Sequence, residues 1–234
     1  MDIAIFSLDG FMFLLRWLHL FFGVLWIGLL YYFNFVQGSF FAETDGPTKS
    51  NAIQKLVPRA LWWFRWAAMY TMLTGLIYLA TKAHLGGFGI FSTSYGIAIL
   101  TGMTLGLFMW ANVWFVIWPN QKIVIASATQ AATGGSALPT AAPAGAKAGL
   151  ASRTNTLFSI PMLFFMGAAN HLPFNVNPNA NLTILAIVLG LIILGIEFNA
   201  LKGKPGPMTT VKGVITCGFI LAAVLYFIVE ILTK

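Results

Sequence analysis

One apolar segment, RWLHLFFGVLWIG at residues 16–28, carries an imidazole among side chains suited to lipid. Four residues recur at steps of four, three and four and therefore share one face of an α-helix: His19, Gly23, Trp26 and Leu30. An ionisable side chain inside a membrane normally faces the protein interior, and neutral imidazole is a common axial ligand of haem iron. The segment therefore predicts either a haem ligand at His19 or a histidine that forms a hydrogen bond to a neighbouring helix.

The glycine and the tryptophan on this face define what the imidazole could contact. Gly23 lies one turn from His19 and leaves a recess in which a porphyrin edge or a neighbouring helix could pack. Trp26 lies at the next turn, where its indole ring could cover the edge of a porphyrin. We therefore assign His19, Gly23 and Trp26 as candidate haem-binding residues.

A second histidine stands in AANHLPF, where Asn170 and His171 precede Pro173 and mark the end of a helix. One interpretation is that His171 caps this helix, because a cation is favourable near the negative end of the helix dipole. The other is that His171 is the second axial ligand of a haem b whose iron it shares with His19. The remaining histidine, His84, is interpreted as a loop residue near the lipid headgroups.

Composition identifies the solvent of this chain as the lipid bilayer. Of the 234 residues, 59% are hydrophobic and only 8% are charged, whereas soluble domains have about 25% charged residues. The formal net charge is +7, but the basic residues are scattered between apolar runs, so we expect no nucleic-acid partner. The only cysteine, Cys217, excludes an internal disulfide, a multi-thiolate metal site and a covalently attached c-type haem.

Six hydrophobic runs are long enough to cross about 30 Å of hydrocarbon as α-helices. They lie at 11–36, 60–82, 95–118, 153–172, 180–201 and 210–232. Basic residues concentrate in the connections after the first, third and fifth runs, so the positive-inside rule places these connections in the cytoplasm and both termini in the periplasm. The sequence thus predicts an all-α, multi-pass protein of the bacterial inner membrane, a bundle of six transmembrane helices that forms one domain over 1–234.

A polar connection and two polar residues inside the runs complete the predicted architecture. Residues 126–151 are rich in Ala, Gly, Ser, Thr and Pro and have little to bury, which predicts a flexible cytoplasmic loop. Asn112 within the third run predicts an interhelical hydrogen bond. Glu197 lies near the inner end of the fifth run, and its side chain is expected to reach toward Lys202 or Lys204, with a proton relay as the less favoured alternative.

The chain contains four segments in a familiar order: RWLHLFFGVLWIG, LWWFRWAAMYTMLTG, WANVWFVIWPNQKIVIA and NTLFSIPMLFFMGAANHLP. Together, over most of residues 11–173, they resemble the membrane domain of bacterial membrane-bound urate hydroxylases, the urate oxidase N-terminal family. The Trp-Leu-His opening is also distantly similar to membrane-bound, haem-containing protoporphyrinogen oxidases. In the urate family a cytochrome c domain usually follows the membrane domain, which implies electron transfer to a periplasmic haem.

Residue by residue, the resemblance keeps both candidate ligands and departs at other polar positions of the family. His19 matches the histidine of the first helix, and His171 matches that of the Asn-His motif. Ala60 and Ala67 stand where the family typically has His and Glu, and Arg153-Thr154-Asn155-Thr156 stands in place of a Thr-His-Asn-Asn stretch. No cytochrome c domain follows in these 234 residues. The resemblance thus implies the fold and a haem site, and gives less support to urate chemistry.

Three functions are consistent with these observations. The first is a membrane redox protein that binds haem b through His19 and His171 and passes electrons to a periplasmic c-type cytochrome or the quinone pool. The second is a urate-oxidising, urate hydroxylase-like enzyme with a separate cytochrome c as electron acceptor. The third is a non-catalytic subunit of a larger membrane complex, whose aromatic helix faces contact partner subunits or membrane lipids.

Overall fold

The computed structural model describes residues 3–234, and its long elements are helices. These are α1 (Leu8–Tyr31), α2 (Gly38–Glu43), α3 (Gly46–Lys55), α4 (Val57–Gly86), α5 (Ser94–Ala111), α6 (Trp118–Ala132), α7 (Ala141–His171), α8 (Leu182–Lys202) and α9 (Val211–Leu232). Two π-helical segments, Tyr32–Gln37 and Asn112–Ile117, continue α1 into α2 and α5 into α6. No strand occurs among the described residues, so the all-α prediction is confirmed for them.

Short polar side chains begin several of these helices. In each case a side-chain oxygen of the capping residue accepts a hydrogen bond from a backbone N–H of the first turn. The capping residues are Ser7, Asp45, Thr93, Asn181 and Thr210. Such a cap contributes about 1 kcal/mol to the stability of a helix. The local sequence therefore determines where these helices begin.

Within residues 3–234, four helical stretches are long and apolar enough to cross a membrane: Leu8–Glu43, Ser94–Ala132, Leu182–Lys202 and Val211–Leu232. They indicate a membrane protein. The predicted runs 60–82 and 153–172 lie within α4 and α7, helices of 30 and 31 residues that carry more charged and polar side chains. The arrangement of six spans with periplasmic termini stays a prediction.

A reporter fusion tests this topology. Fused after Lys234, a reporter active only in the periplasm should work and one active only in the cytoplasm should not, because the basic residues concentrate in the connections predicted to be cytoplasmic. A matched fusion after Lys204, within one of those connections, should give the opposite pattern. Cytoplasmic activity after Lys234 would mean that the number of spans or their orientation is wrong.

The chain divides into two compact units. The first contains residues 3–88 together with Val124–Leu138, and the second contains Gly89–Ile123 together with Pro139–Lys234. In the first unit α1 packs along α4, and in the second α7 packs against α5, α8 and α9. The prediction of one transmembrane domain stays a prediction.

Close backbone approach positions the helices around α7 in the second unit. A Cβ atom at Gly102 of α5 would lie 3.3 Å from the carbonyl oxygen of Met162 in α7, and the side chain of Ile160 fills the space beside Gly218 of α9. Small residues at such contacts let helices pack tightly in lipid, where burial of apolar surface drives association weakly. These glycines therefore bring α5 and α9 onto α7.

The connection predicted over 126–151 is mostly helical, and the expected flexible loop is corrected accordingly. Only 133–140 lies between α6 and α7. Alanine has the highest helix propensity, and Ala144, Ala148 and Ala151 are buried. A segment with few large apolar side chains can still form a packed helix, because the small alanine face allows close contact.

The buried alanine face makes a specific prediction. Ala148→Leu should lower the free energy of unfolding by about 1–3 kcal/mol, because Ala148 is fully buried and added methylenes overpack such a site. Ala146→Leu, at an exposed position of the same helix, should change it by less than about 0.5 kcal/mol. Thermal unfolding midpoints in detergent compare the two variants. Equal midpoints would show that this part of α7 does not pack.

Candidate functional site

His19 lies where α1 packs along α4 in the first unit, and its side chain is mostly buried. Its Nδ1 lies 2.8 Å from the backbone carbonyl oxygen of Thr71. Because a carbonyl oxygen only accepts hydrogen bonds, Nδ1 carries the proton and Nε2 keeps a lone pair. Metal-ligating histidines commonly donate their other ring N–H to a backbone carbonyl in this way.

Two glycines shape the contact around this imidazole. A Cβ atom at Gly75 would lie 2.8 Å from Cε1 and 2.9 Å from Nδ1 of His19, so the absence of a side chain at Gly75 makes room for the ring. A Cβ atom at Gly23 would lie 3.9 Å from the methyl carbon of Thr71. The recess at Gly23 was expected to accommodate either a neighbouring helix or a porphyrin edge. A neighbouring helix is present there, and the porphyrin edge stays a prediction.

The helical face predicted from residue spacing is a buried face of α1. Trp26 is 2% exposed and Leu30 is fully buried. The indole Nε1 of Trp26 is buried and has no hydrogen-bond acceptor among the described residues. Buried N–H groups are nearly always paired, so an acceptor supplied by a bound group would be favourable here.

The other histidines are exposed. His171 is the last residue of α7 and belongs to the second unit, while His84 lies near the end of α4 in the first. The structure therefore brings His19, Gly23 and Trp26 together on one helix face. The choice between helix cap and axial ligand for His171 stays a prediction.

A buried polar cluster, formed by Asn112, Asn155 and Glu197, joins three helical elements of the second unit. The amide of Asn112 donates to Asn155 Oδ1 and to Glu197 Oε2, each at 3.0 Å. Asn155 donates in turn to the backbone oxygen of Met109 at 2.9 Å. The predicted interhelical hydrogen bond of Asn112 is therefore present.

Glu197 does not follow the expectation that it reaches toward the lysines at the end of α8. Its side chain is 8% exposed and accepts a hydrogen bond from Asn112. The physical reason is helical periodicity, because Glu197 continues a buried stripe at steps of four: Leu185, Leu189 and Ile193. This stripe is the sequence signal that would have placed Glu197 inside.

The second unit also has an open pocket of about 480 Å³ beside the segment that follows α7. Hydroxyl and amide groups line it together with apolar side chains, among them Ser92, Ser94, Asn175 and Asn177. The volume suits a small organic molecule. The lining contains no carboxylate, imidazole or thiol, so it offers hydrogen-bonding groups but no group for proton transfer.

Metal chemistry in the described part of the chain is restricted by its side chains. No group of three or more His, Cys, Asp and Glu residues there could hold a metal ion. A haem needs only axial ligands from the protein, because the porphyrin supplies the others. The tautomer of His19 and the unpaired indole N–H of Trp26 fit such a group, and Gly75 leaves room for the imidazole itself.

Comparison with known protein families gives a match. The sequence model of a family described as urate oxidase N-terminal matches residues 87–228, more than half of the chain. His171 and the polar cluster of Asn112, Asn155 and Glu197 lie inside the matched part, whereas His19 precedes it. No curated protein and no solved structure matches the chain.

Proposed function

This chain belongs to the urate oxidase N-terminal family, and on that premise we propose that it is a redox protein of the bacterial inner membrane that binds haem b. In this proposal His19 and His171 would hold the haem iron. A haem b with two histidine ligands accepts and donates single electrons and leaves no axial position for a substrate. Such a haem would pass electrons to a periplasmic c-type cytochrome or to the quinone pool.

The hydrogen bond between His19 and the Thr71 carbonyl is the observation that supports this proposal most directly. It holds the ring in one orientation and directs the proton to Nδ1, so that Nε2 is the nitrogen available to a metal. Gly75 leaves the space that this orientation requires. Both features lie on α4, outside the residues that suggested the site in the sequence.

A visible spectrum of the purified protein from haem-replete cells tests the proposal. Soret and α bands that shift on reduction are expected from a haem with two histidine ligands. A colourless protein would contradict haem binding and favour a non-catalytic subunit of a membrane complex.

Family membership also supports a second function, urate oxidation with a separate cytochrome c as electron acceptor. Anaerobic addition of urate distinguishes the two. Reduction of the bands by urate, and of added cytochrome c in turn, would identify a urate-oxidising enzyme. If reduced quinone or reduced cytochrome c changes the bands and urate does not, the protein is an electron-transfer protein.

The contact between Gly75 and His19 gives a further prediction. Gly75→Ala should displace the imidazole from Thr71, because the added methyl would overlap the ring, and should weaken haem binding about 10–100-fold, as loss of a supporting hydrogen bond does elsewhere. Haem titration of the apoprotein measures the affinity. Gly28→Ala is the matched control on α1, since nothing lies within 4 Å of a Cβ atom there, and it should bind like wild type. An unchanged haem affinity in Gly75→Ala would show that the contact between Gly75 and His19 does not support haem binding.

A further inference from the structure

Glu197 is a buried carboxyl group inside a helix that is apolar enough to cross a membrane. Its hydrogen-bond partner is the amide of Asn112, whose nitrogen lies 3.0 Å from Oε2. The other N–H of that amide is used by Asn155, so both donors of Asn112 are committed. The carboxyl group is thus held in a defined position with one donor.

No basic side chain compensates Glu197 among the described residues. α8 packs against α5, α7 and α9, and none of the titratable groups on these four helices forms an ion pair or hydrogen bond with it: Tyr95, Lys147, Arg153, His171, Lys202, Lys212, Cys217, Tyr226 and Glu230. A carboxylate without a cation is costly at membrane depth. The charge at Glu197 is therefore not neutralised by the protein.

A purely structural role would not require a carboxyl group at this position. Asn112 and Asn155 already connect the end of α5 with α7, and a glutamine at 197 would accept the same hydrogen bond from Asn112. What distinguishes glutamate from glutamine is the ability to gain and lose a proton. Intramembrane carboxyl groups that carry this cost commonly lie on ion or proton pathways.

The surroundings of Glu197 supply a locally altered helix and an approach from one end. Asn112 is the first residue of the π-helical segment Asn112–Ile117, and π-helical turns in α-helices are frequent at functional sites. Glu197 lies about 7.5 Å along the axis of α8 from Lys202, at 1.5 Å per residue. Lys202 ends α8 and is much nearer to Glu197 than Leu182 at the start of the helix, so the shorter path to water runs toward the Lys202 end.

We propose that Glu197 is a proton-binding site that exchanges with the aqueous phase at the Lys202 end of α8. In loading, a carboxylate oxygen takes a proton from hydronium and leaves water, and in release the same bond breaks and water takes the proton. No electron is transferred in this step. The site does not depend on haem, so it stands or falls separately from the proposed redox function.

A hydrophobic carbodiimide tests the site, because it reacts with protonated carboxyl groups in apolar surroundings. The full chain is placed in sealed vesicles, prepared separately as right-side-out and inside-out membranes. The pH is then varied on one side at a time, and labelling of Glu197 is quantified by peptide mass spectrometry. Above the midpoint the labelling rate should fall about tenfold per pH unit when the compartment at the Lys202 end is made more alkaline. The pH of the opposite compartment should have no effect.

Two controls make the result specific. Glu197→Gln keeps the hydrogen bond from Asn112 and should abolish labelling of this peptide. Glu230, which accepts from Tyr226 and pairs with Lys234 near the other end of α9, should not follow the pH at the Lys202 end. Absence of label at Glu197, labelling independent of pH, or labelling that follows the opposite compartment would overturn the proposal.

Discussion

Replacing His19 with alanine should abolish or strongly shift the Soret and α bands of the purified protein. The replacement removes the nitrogen that is oriented for ligation by the bond from Nδ1 to Thr71. Loss of this hydrogen bond should cost about 1 kcal/mol of stability, and removal of the mostly buried ring adds to that cost. Absorption spectra at equal protein concentration, together with unfolding midpoints, separate loss of haem from loss of fold.

Two further histidine variants complete this test. His171→Ala should have the same effect on the spectrum if His171 is the second axial ligand, whereas His84→Ala should leave the bands unchanged. His19→Ala protein that keeps the wild-type bands would contradict ligation by His19. Bands that are lost in His19→Ala but kept in His171→Ala would show that His171 is not an axial ligand.

Replacing Asn155 with leucine should lower the free energy of unfolding by about 2–3 kcal/mol. Asn155 is fully buried and takes part in two hydrogen bonds, one from Asn112 and one to the oxygen of Met109. Leucine has a similar size but leaves a donor of Asn112 without a partner, and a buried unpaired polar group costs about 1–3 kcal/mol. Unfolding in mixed micelles of increasing denaturing detergent measures the change.

Thr156→Val is the matched control on the same helix. Thr156 is also fully buried, but its hydroxyl bonds to the oxygen of Ser152 within α7, so its loss breaks no link between helices. We expect a change below about 1 kcal/mol. An Asn155→Leu variant no less stable than Thr156→Val would mean that the polar cluster contributes little to the packing of the second unit.

The sequence predicted the buried face of α1 but not what lies opposite. The steps from His19 to Gly23, Trp26 and Leu30 follow from helical geometry alone, and this face is buried. Thr71 and Gly75 were missed, although their small-xxx-small spacing is typical of close helix contacts in membranes. Helical periodicity predicts which face of a helix is buried. Which two helices pair depends on long-range contacts, which periodicity does not reveal.

The polar residues of the second unit show the same limit. Asn112 in an apolar run predicted an interhelical bond, because an amide in hydrocarbon needs a partner. The partner Glu197 was expected to reach the lysines beyond α8, since it lies only one turn from the helix end. Its position in the stripe of Leu185, Leu189 and Ile193 outweighs that proximity. For the 126–151 segment, composition indicated flexibility, whereas alanine propensity and close packing gave helix.

The glycines at the His19 site also fix how far α1 and α4 slide past each other. His19 fits against Gly75 and Thr71 fits against Gly23. Each helix therefore supplies one side chain and, four residues later, one gap, and the two helices pair in opposite directions. A slide of one turn, about 5.4 Å, would oppose the two glycines and press His19 against Leu79. Only one register fills both gaps and makes the bond to Thr71. Two helices that meet in lipid can therefore find their axial position through shape before any ligand is bound.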